Sequence, residues 1–316
     1  MNILFTCVGR RIELIQAFKT AAENLKTNLV IHGTDTTNTA PALFFCDIPH
    51  IVPKIKNPAY IPKLLEICRE GKVDALIPTI DTDLLILSEN KESFEKVGTK
   101  VLISNPEAIR ICRDKRITGN FFGNCGLSYP RTFDNAADYS MNYPCFIKPK
   151  DGSSSIFAYK VNNERELMTY AVQVPDYIIQ PYIEGTEYTV DIFCDFEGNP
   201  IYITPRVRLA VRAGEVLKTQ ILHDTRIIEE ALSITEKFKP CCAITVQLIK
   251  ESVTGENYYI EINPRFGGGA PLSMKAGANS AEALIRLLKK EKLSYQSNAA
   301  ENNAVYCRFD QSIKVN

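Results

Sequence analysis

Histidine is scarce in this sequence, three residues in 316, and the ten cysteines include no paired CxxC. Structural zinc sites draw on closely spaced Cys and His, so this composition argues against one. The adjacent Cys241 and Cys242 lie on an apolar run and read as small core residues. Charge of either sign is not in excess: Lys plus Arg and Asp plus Glu both number 37. No global field therefore favours nucleic acid or an anionic membrane surface, and no basic stripe carries interleaved aromatics. Long apolar runs are missing too. No stretch reaches the roughly 20 residues a membrane span requires, and "MNILFTCVGRR" has neither a basic region before its apolar run nor a cleavage signature after it. A cytoplasmic protein with reduced cysteines is expected. Internal repeats and low-complexity segments are absent, as is the GxxxxGK[ST] phosphate loop.

What remains is a chain of ordinary apolar content, 45%, long enough for two or three domains. Its first hundred residues alternate strand and helix signals. "NILFTC" reads as a strand, Ile15, Phe18, Ala22 and Leu25 recur at helical spacing, and "NLVIHGT" returns to strand. "YIPKLLEICREG", "VDALIPT", "DTDLLILSENKESFEKVG" and "TKVLIS" continue as helix, strand, helix and strand. Such alternation implies a parallel sheet with helical crossovers. Asn105-Pro106 opens a new helix, and "DKRITGNFFGNCGLSYP" a further one ending near Gly126. From residue 145 strands dominate, with helices at "NERELMTYAV", "DTRIIEEALSITEKF" and "SAEALIRLLKK". "AITVQLIK" and "NYYIEINP" form a hairpin that turns around Gly255. The second part reads as α+β.

The hairpin leads to the chemistry. On a strand, Glu261, Asn263 and Arg265 project to one side, while Ile260 and Ile262 are expected to pack inward. Pairing "TVQL" with "YIEIN" brings Gln247 to Glu261 and Asn263. One carboxylate with two amides suits a hard cation such as magnesium, whose remaining ligands are commonly phosphates; the same residues would also make a hydrogen-bonded polar face. In "PCFIKPKDGSSS", Lys148 ends an apolar strand and Asp151, Gly152, Ser153, Ser154 and Ser155 follow. Small residues let backbone N–H groups wrap a phosphate, although a serine turn alone needs no ligand. In "IIQPYIEGTEYTV" a proline interrupts the strand, so backbone groups near Tyr182 and Ile183 are expected to be left free to read an adenine edge, with Gln180 and Glu187 beside them. Lys115 opens a helix some thirty residues before Lys148.

In this order the pieces resemble the ATP-grasp superfamily, and within it proteins like the carbamoyl phosphate synthase large subunit. Lys115, "FIKPKDGSSS", "IIQPYIEGTEYTV", "TVQL" and "IEINPRFGGGAPLSMKAG" carry the resemblance over roughly residues 105 to 290. It implies a preATP-grasp Rossmann-like sheet over 1–105, a small lobe or lid over 106–185, and a large lobe with a C-terminal tail over 186–316. It implies ATP and magnesium or manganese as cofactors. Lys115, Lys148 and the 151–155 loop would contact phosphates; Gln180, Tyr182, Ile183 and Glu187 would surround the adenosine. Gln247, Glu261 and Asn263 would hold the metal, and Arg265 would lie beside the transferred phosphate together with Lys148 and Asn263. Two departures stand out: a single glycine in the phosphate loop, and Gln247 where many family members carry a carboxylate.

The resemblance further implies a ligase that activates a small carboxylate as an acyl phosphate and joins it to an amine. A bicarbonate-activating carboxylase or carbamoyl-phosphate-type enzyme is the alternative within the fold. For the carboxylate, Arg206, Arg208 and Arg212 offer guanidinium forks, although strand arginines are as readily solvated. "GRR" at residues 9 to 11 adds positive charge after the first strand, and Asp81 and Asp83 read as helix caps that could receive an amine. Two rivals come from other classes. An NAD-dependent oxidoreductase would use the N-terminal sheet, Gly9 and Asp35, yet "CVGRRIE" has one glycine where the dinucleotide fingerprint needs three. A non-catalytic ATP-binding scaffold has no need of so complete a phosphate-transfer set. Small-molecule partners are expected, without nucleic acid or membrane, and homo-oligomerisation is left open.

Overall fold

The computed structural model describes residues 1–152 and 156–315. Its N-terminal part runs β1 (Asn2–Thr6), α1 (Ile12–Asn24), β2 (Val30–Asp35), β3 (Ile48–Ile51), α2 (Tyr60–Glu70), β4 (Ala75–Pro78), α3 (Leu84–Glu89), α4 (Lys91–Glu95) and β5 (Lys100–Val101). These strands form the expected parallel sheet, in the order β3-β2-β1-β4-β5. Ile3, Leu4, Phe5 and Ala75 to Ile77 are buried, because helices cover both faces. The chain leaves β1 toward β2 on one side and enters β4 on the other. The crevice at the carboxyl ends of β1 and β4 is thus the place where such a sheet receives ligands. Residues 7 to 11 and 79 to 83 form its rim.

The single helix expected over "DTDLLILSENKESFEKVG" is instead two short ones, α3 and α4. Asn90 separates them: its side-chain amide donates to the Ile86 carbonyl at 2.7 Å, an i−4 bond that competes with the backbone ladder.

Next come α5 (Pro106–Arg113) and α6 (Lys115–Asn124), capped by the Asn105 and Asp114 side chains. A three-stranded antiparallel sheet follows, β6 (Cys145–Pro149), β7 (Tyr159–Val161) and β8 (Tyr177–Pro181), with α7 (Glu164–Gln173) between the last two. The large sheet is antiparallel and has six strands: β9 (Gly185–Cys194), β10 (Pro200–Arg212), β11 (Glu215–Ile221), β12 (Ala243–Glu251), β13 (Asn257–Asn263) and β14 (Val305–Cys307), in the order β13-β12-β9-β10-β11-β14. Helices α8 (Thr225–Phe238), α9 (Ala270–Lys275) and α10 (Ser280–Leu288) complete the chain.

The cores do not follow the sequence divisions. The three-stranded sheet has a core of its own, including Ile147, Leu167 and Ile179. Ala108 and Phe122, from α5 and α6, are instead buried with Val190, Ile244 and Ile262 of the large sheet. Another cluster joins Phe5, Ile15 and Phe18 to Phe193, Phe266 and Leu284. The Phe18 ring meets Phe5 at 5.1 Å and Phe266 at 5.9 Å, both edge to face. The N-terminal sheet and the large sheet thereby share one interior.

Candidate active site

The β12–β13 hairpin sets Gln247 opposite Glu261 and Thr245 opposite Asn263. Between the Gln247–Glu261 and Leu248–Tyr259 pairs, β13 carries one extra residue, Ile260. Tyr259 and Ile262 are therefore the inward residues, and Ile260 lines the cleft, contrary to the alternation expected from the sequence. Glu261, Asn263 and Arg265 do lie together. The Asn263 amide donates to Glu261 Oε1 at 3.0 Å, and Arg265 Nη2 donates to Asn263 Oδ1 at 3.2 Å.

Two lysines approach this hairpin from other elements. Lys115, at the start of α6, donates to the Gly152 carbonyl at 3.0 Å, and burial pulls its pKa down while Glu261 and Asp151 oppose the shift. Lys148 sits on β6. Burial and the neighbouring Lys115 lower its pKa to about 8, with Glu261 again opposing. Among the described residues the Lys148 ammonium makes no hydrogen bond or ion pair. Two ammonium groups from separate elements thus share one neighbourhood with the Glu261 carboxylate, an arrangement suited to a polyphosphate with its cation. Asp151 is held by Arg113 at 2.8 Å and lines a small adjoining cavity. Ser153, Ser154 and Ser155 fall outside the described residues.

The cleft encloses about 810 Å³ between the two smaller sheets and the large one. Gln180, Tyr182, Ile183 and Glu187 line it. Gln180 is buried, and its amide donates to Thr132 Oγ1 at 2.9 Å. The Tyr182 N–H is not free as expected: it donates to the Pro144 carbonyl at 3.1 Å. The Ile183 backbone makes no hydrogen bond among the described residues. Glu187 lines the cleft but is paired with Arg208 at 3.2 Å.

The arginines expected for the substrate fare differently. Arg206 is 1% exposed, with Nε and Nη2 both donating to the Asp191 carboxylate, at 2.7 and 3.2 Å. Its fork is occupied. Arg208 holds Glu187 and the Gly214 carbonyl. Arg212 is exposed, pairs with Asp310 at 2.8 Å and does not line the cleft; the irregular register of β10 against β11 beyond Arg208 carries it away.

The glycines after Arg265 are explained by what presses on them. A β-carbon would stand 2.7 Å from Thr245 Oγ1 at Gly267, 2.7 Å from Arg11 Nη1 at Gly268, and 2.8 Å from Arg206 Nη2 at Gly269. Bare backbone is what lets side chains from β12, α1's entrance and β10 converge there.

Asp83 stands at the N-cap of α3, but its side chain makes no capping hydrogen bond. Asp83 is fully buried and accepts from Thr6 Oγ1 at 2.7 Å and the Tyr60 hydroxyl at 3.1 Å, and its burial raises its pKa to about 6. Asp81 pairs with Arg265 at 2.6 Å. In the N-terminal sheet Asp35 accepts from the Gly9, Thr36 and Thr37 backbone N–H groups. It fixes the β1 loop, the role a ribose hydroxyl would contest in a dinucleotide site.

Comparison with known proteins bears on the family. Residues 3–102 match the family model described as "PylC-like, N-terminal domain", and residues 173–308 match "ATP-grasp in the biosynthetic pathway with Ter operon". Residues 173–308 are an ATP-grasp domain. The 3-methyl-D-ornithine–L-lysine ligase of Methanosarcina acetivorans is 28% identical over 86% of this chain and 70% of its own length. The carbamoyl phosphate synthase large chain of Campylobacter jejuni is 24% identical over 85% of this chain, which spans 25% of that much longer protein. A biotin carboxylase from Campylobacter jejuni, solved with an ATP analogue, superposes with a TM-score of 0.75 at 18% identity, over 97% of this chain and 75% of that one. The likeness at that identity is one of fold. No helix among the described residues is long and apolar enough to cross a membrane.

Two features of this ATP-grasp cleft escape sequence reasoning. The Asp81–Arg265 pair joins residues 184 positions apart, and only the position of Asp81 beyond a parallel strand hints at it. Arg113 braces the loop from α5 through Asp151 and the Asp81 carbonyl; the charge cluster "CRDKR" was its one sequence signal.

Proposed function

We propose that this ATP-grasp protein is an ATP- and magnesium-dependent ligase that activates a small carboxylate as an acyl phosphate and joins it to an amine. The observation that carries this reading is the meeting of Lys115, Lys148 and Glu261 around one cleft. The ligase named above supports it from sequence, since its match runs through both the N-terminal part and the ATP-grasp part.

In this reading Lys115 and Lys148 hold the triphosphate, with Gly152 beside it. Gln180, Tyr182, Ile183 and Glu187 surround the nucleoside. Among the described residues there is no group of three or more His, Cys, Asp and Glu fit to hold a metal. One carboxylate with amides instead fits magnesium shared with phosphate oxygens, and Glu261, Gln247 and Asn263 would hold it. Bound there, magnesium would neutralise phosphate charge. The substrate carboxylate attacks the γ-phosphorus, the bond to the β,γ-bridging oxygen breaks, and ADP leaves. The amine then attacks the acyl carbon, a C–N bond forms, the C–O bond to phosphate breaks, and a proton is released. Lys148 and Arg265 stabilise the charge that develops on phosphate oxygens from fixed positions.

The test is ADP release from ATP and magnesium across amino acids, other small acids and bicarbonate. ADP release with an acid and an amine together is expected. Release with bicarbonate alone would favour carboxylation, and absence of ATP binding in a calorimeter would overturn the ligase. Glu261→Gln is expected to lower turnover at least a hundredfold while circular dichroism stays unchanged; retained turnover would remove Glu261 from the metal site.

A further inference from the structure

Four arginines line the cleft: Arg11, Arg206, Arg208 and Arg265. Three are engaged. Arg206 is bidentate on Asp191, Arg208 holds Glu187 and the Gly214 carbonyl, and Arg265 holds Asp81 and Asn263. The Arg11 guanidinium makes no hydrogen bond among the described residues. Its nearest carboxylate, Glu215, lies 4.0 Å away, and its side chain is only 19% exposed. Keeping a guanidinium largely out of water with no hydrogen-bonded anion is costly, and the deficit is met when an anion arrives.

The surroundings of Arg11 identify that anion. The charges acting on it are those of Arg265, Glu215, Asp81 and Arg308. Those acting on Lys148 are Lys115 and Glu261. Arg11 stands at the N-cap of α1 just after β1, and its Nη1 lies 2.7 Å from where a Gly268 β-carbon would stand, so its guanidinium meets the glycines after Arg265 at the crevice where β1 ends. The same region also holds negative charge. Asp81 lines the cleft and has a buried Oδ1 with no hydrogen-bond partner, and Glu215 Oε1 lies 3.5 Å from where a Gly268 β-carbon would stand. One guanidinium without a hydrogen-bonded anion, beside two carboxylates that Arg265 and Arg308 also hold, complements a molecule carrying an anion and an amine a few bonds apart.

We propose that Arg11 determines the class of amine substrate: it grips the carboxylate of an amino acid, whose amine is turned toward Asp81 and Glu215 and so toward the reaction centre at Arg265. This rests on the ligase reading and deepens it. The carboxylate on Arg11 is not the one that becomes phosphorylated; it anchors the nucleophile. Gly268 is part of the device, because Arg11 Nη1 occupies the space of its missing side chain. Gly268 does not need a left-handed backbone, so a methyl group there displaces the flexible end of Arg11 and leaves the fold in place.

The test uses the full chain with ATP and magnesium. Each of the twenty L-amino acids, and its carboxamide, is offered as the amine to a panel of small acids and amino acids, and ADP release is measured. At least one free amino acid is expected to act with a KM roughly a hundredfold below that of its carboxamide. Arg11→Met is expected to raise the KM of the acid about a hundredfold, to change kcat less than fivefold, and to abolish the preference for acid over amide. Arg11→Lys should recover part of that preference, and Gly268→Ala should mimic Arg11→Met with an unchanged melting temperature. Calorimetric ATP affinity should stay within twofold in all three. The inference is overturned if Arg11→Met keeps the acid-over-amide preference, or if simple amines are used and amino acids are not. Failure of the wild-type chain to bind ATP would instead overturn the ligase reading, so the two failures are distinct.

Discussion

Lys148 is the residue whose protonation reports most directly on the cleft. Burial and Lys115 bring its pKa to about 8 in the unliganded protein. A bound triphosphate favours the ammonium and raises that value again. Below pH 8 the proton is already present and affinity for ATP should be flat. Above pH 8 the proton must be taken up on binding, so the dissociation constant should rise toward tenfold per pH unit. Calorimetric titrations at pH 7, 8 and 9, in buffers of different ionisation enthalpy, would show both the slope and the proton uptake. Lys148→Met should weaken binding and remove the slope; a slope that survives in the variant belongs to another group. Lys148 was readable from "FIKPK" because a lysine ending an apolar strand is unusual without a partner. Its closeness to Lys115 was not readable, since the two lie thirty-three positions apart in the chain.

The β9, β12 and β13 strands hold their side chains in register through close backbone contact. Gly185 begins β9 opposite Glu251, and a β-carbon there would lie 2.2 Å from the Lys250 carbonyl oxygen. That neighbour is backbone in a paired strand and cannot turn aside. Gly185→Ala is expected to cost roughly 2 kcal/mol or more, measured by urea unfolding, and to weaken ATP binding because Glu187 follows two residues later. An unchanged unfolding midpoint would show that the strand start shifts freely. The hairpin itself was legible from its two apolar runs and the turn at Gly255. The bulge at Ile260 was not: one extra residue leaves the apolar pattern "YYIEI" unchanged and is decided by what lies across in β12. Likewise Asn90 divides α3 from α4 by a side-chain bond that the apolar spacing does not record.

Across the whole molecule, the N-terminal sheet and the large lobe meet in one apolar interior, with Phe18 between Phe5 and Phe266. Glu13 adds polar links to Lys275 at 2.9 Å and Arg308 at 3.0 Å. Phe18→Ala should therefore destabilise both parts together, by about 3 to 5 kcal/mol, as one shifted calorimetric transition. Two transitions, with only the earlier one moved, would mean that the parts unfold independently. Because Phe266 directly follows Arg265, the same change should also weaken the cleft.

Local rules were enough to determine the parallel sheet, the later antiparallel strands, and the hairpin that aligns Glu261, Asn263 and Arg265. Those features depend on periodicity, turns and residue chemistry over short stretches, all carried by neighbouring positions. Only the tertiary structure decided which charges are free. Asp191 takes Arg206, Asp310 takes Arg212, Asp81 takes Arg265, and the Arg11 guanidinium, 4.0 Å from Glu215, makes no hydrogen bond among the described residues. Such partners come from distant segments, and a side chain's availability depends on which of them packing brings within bonding distance.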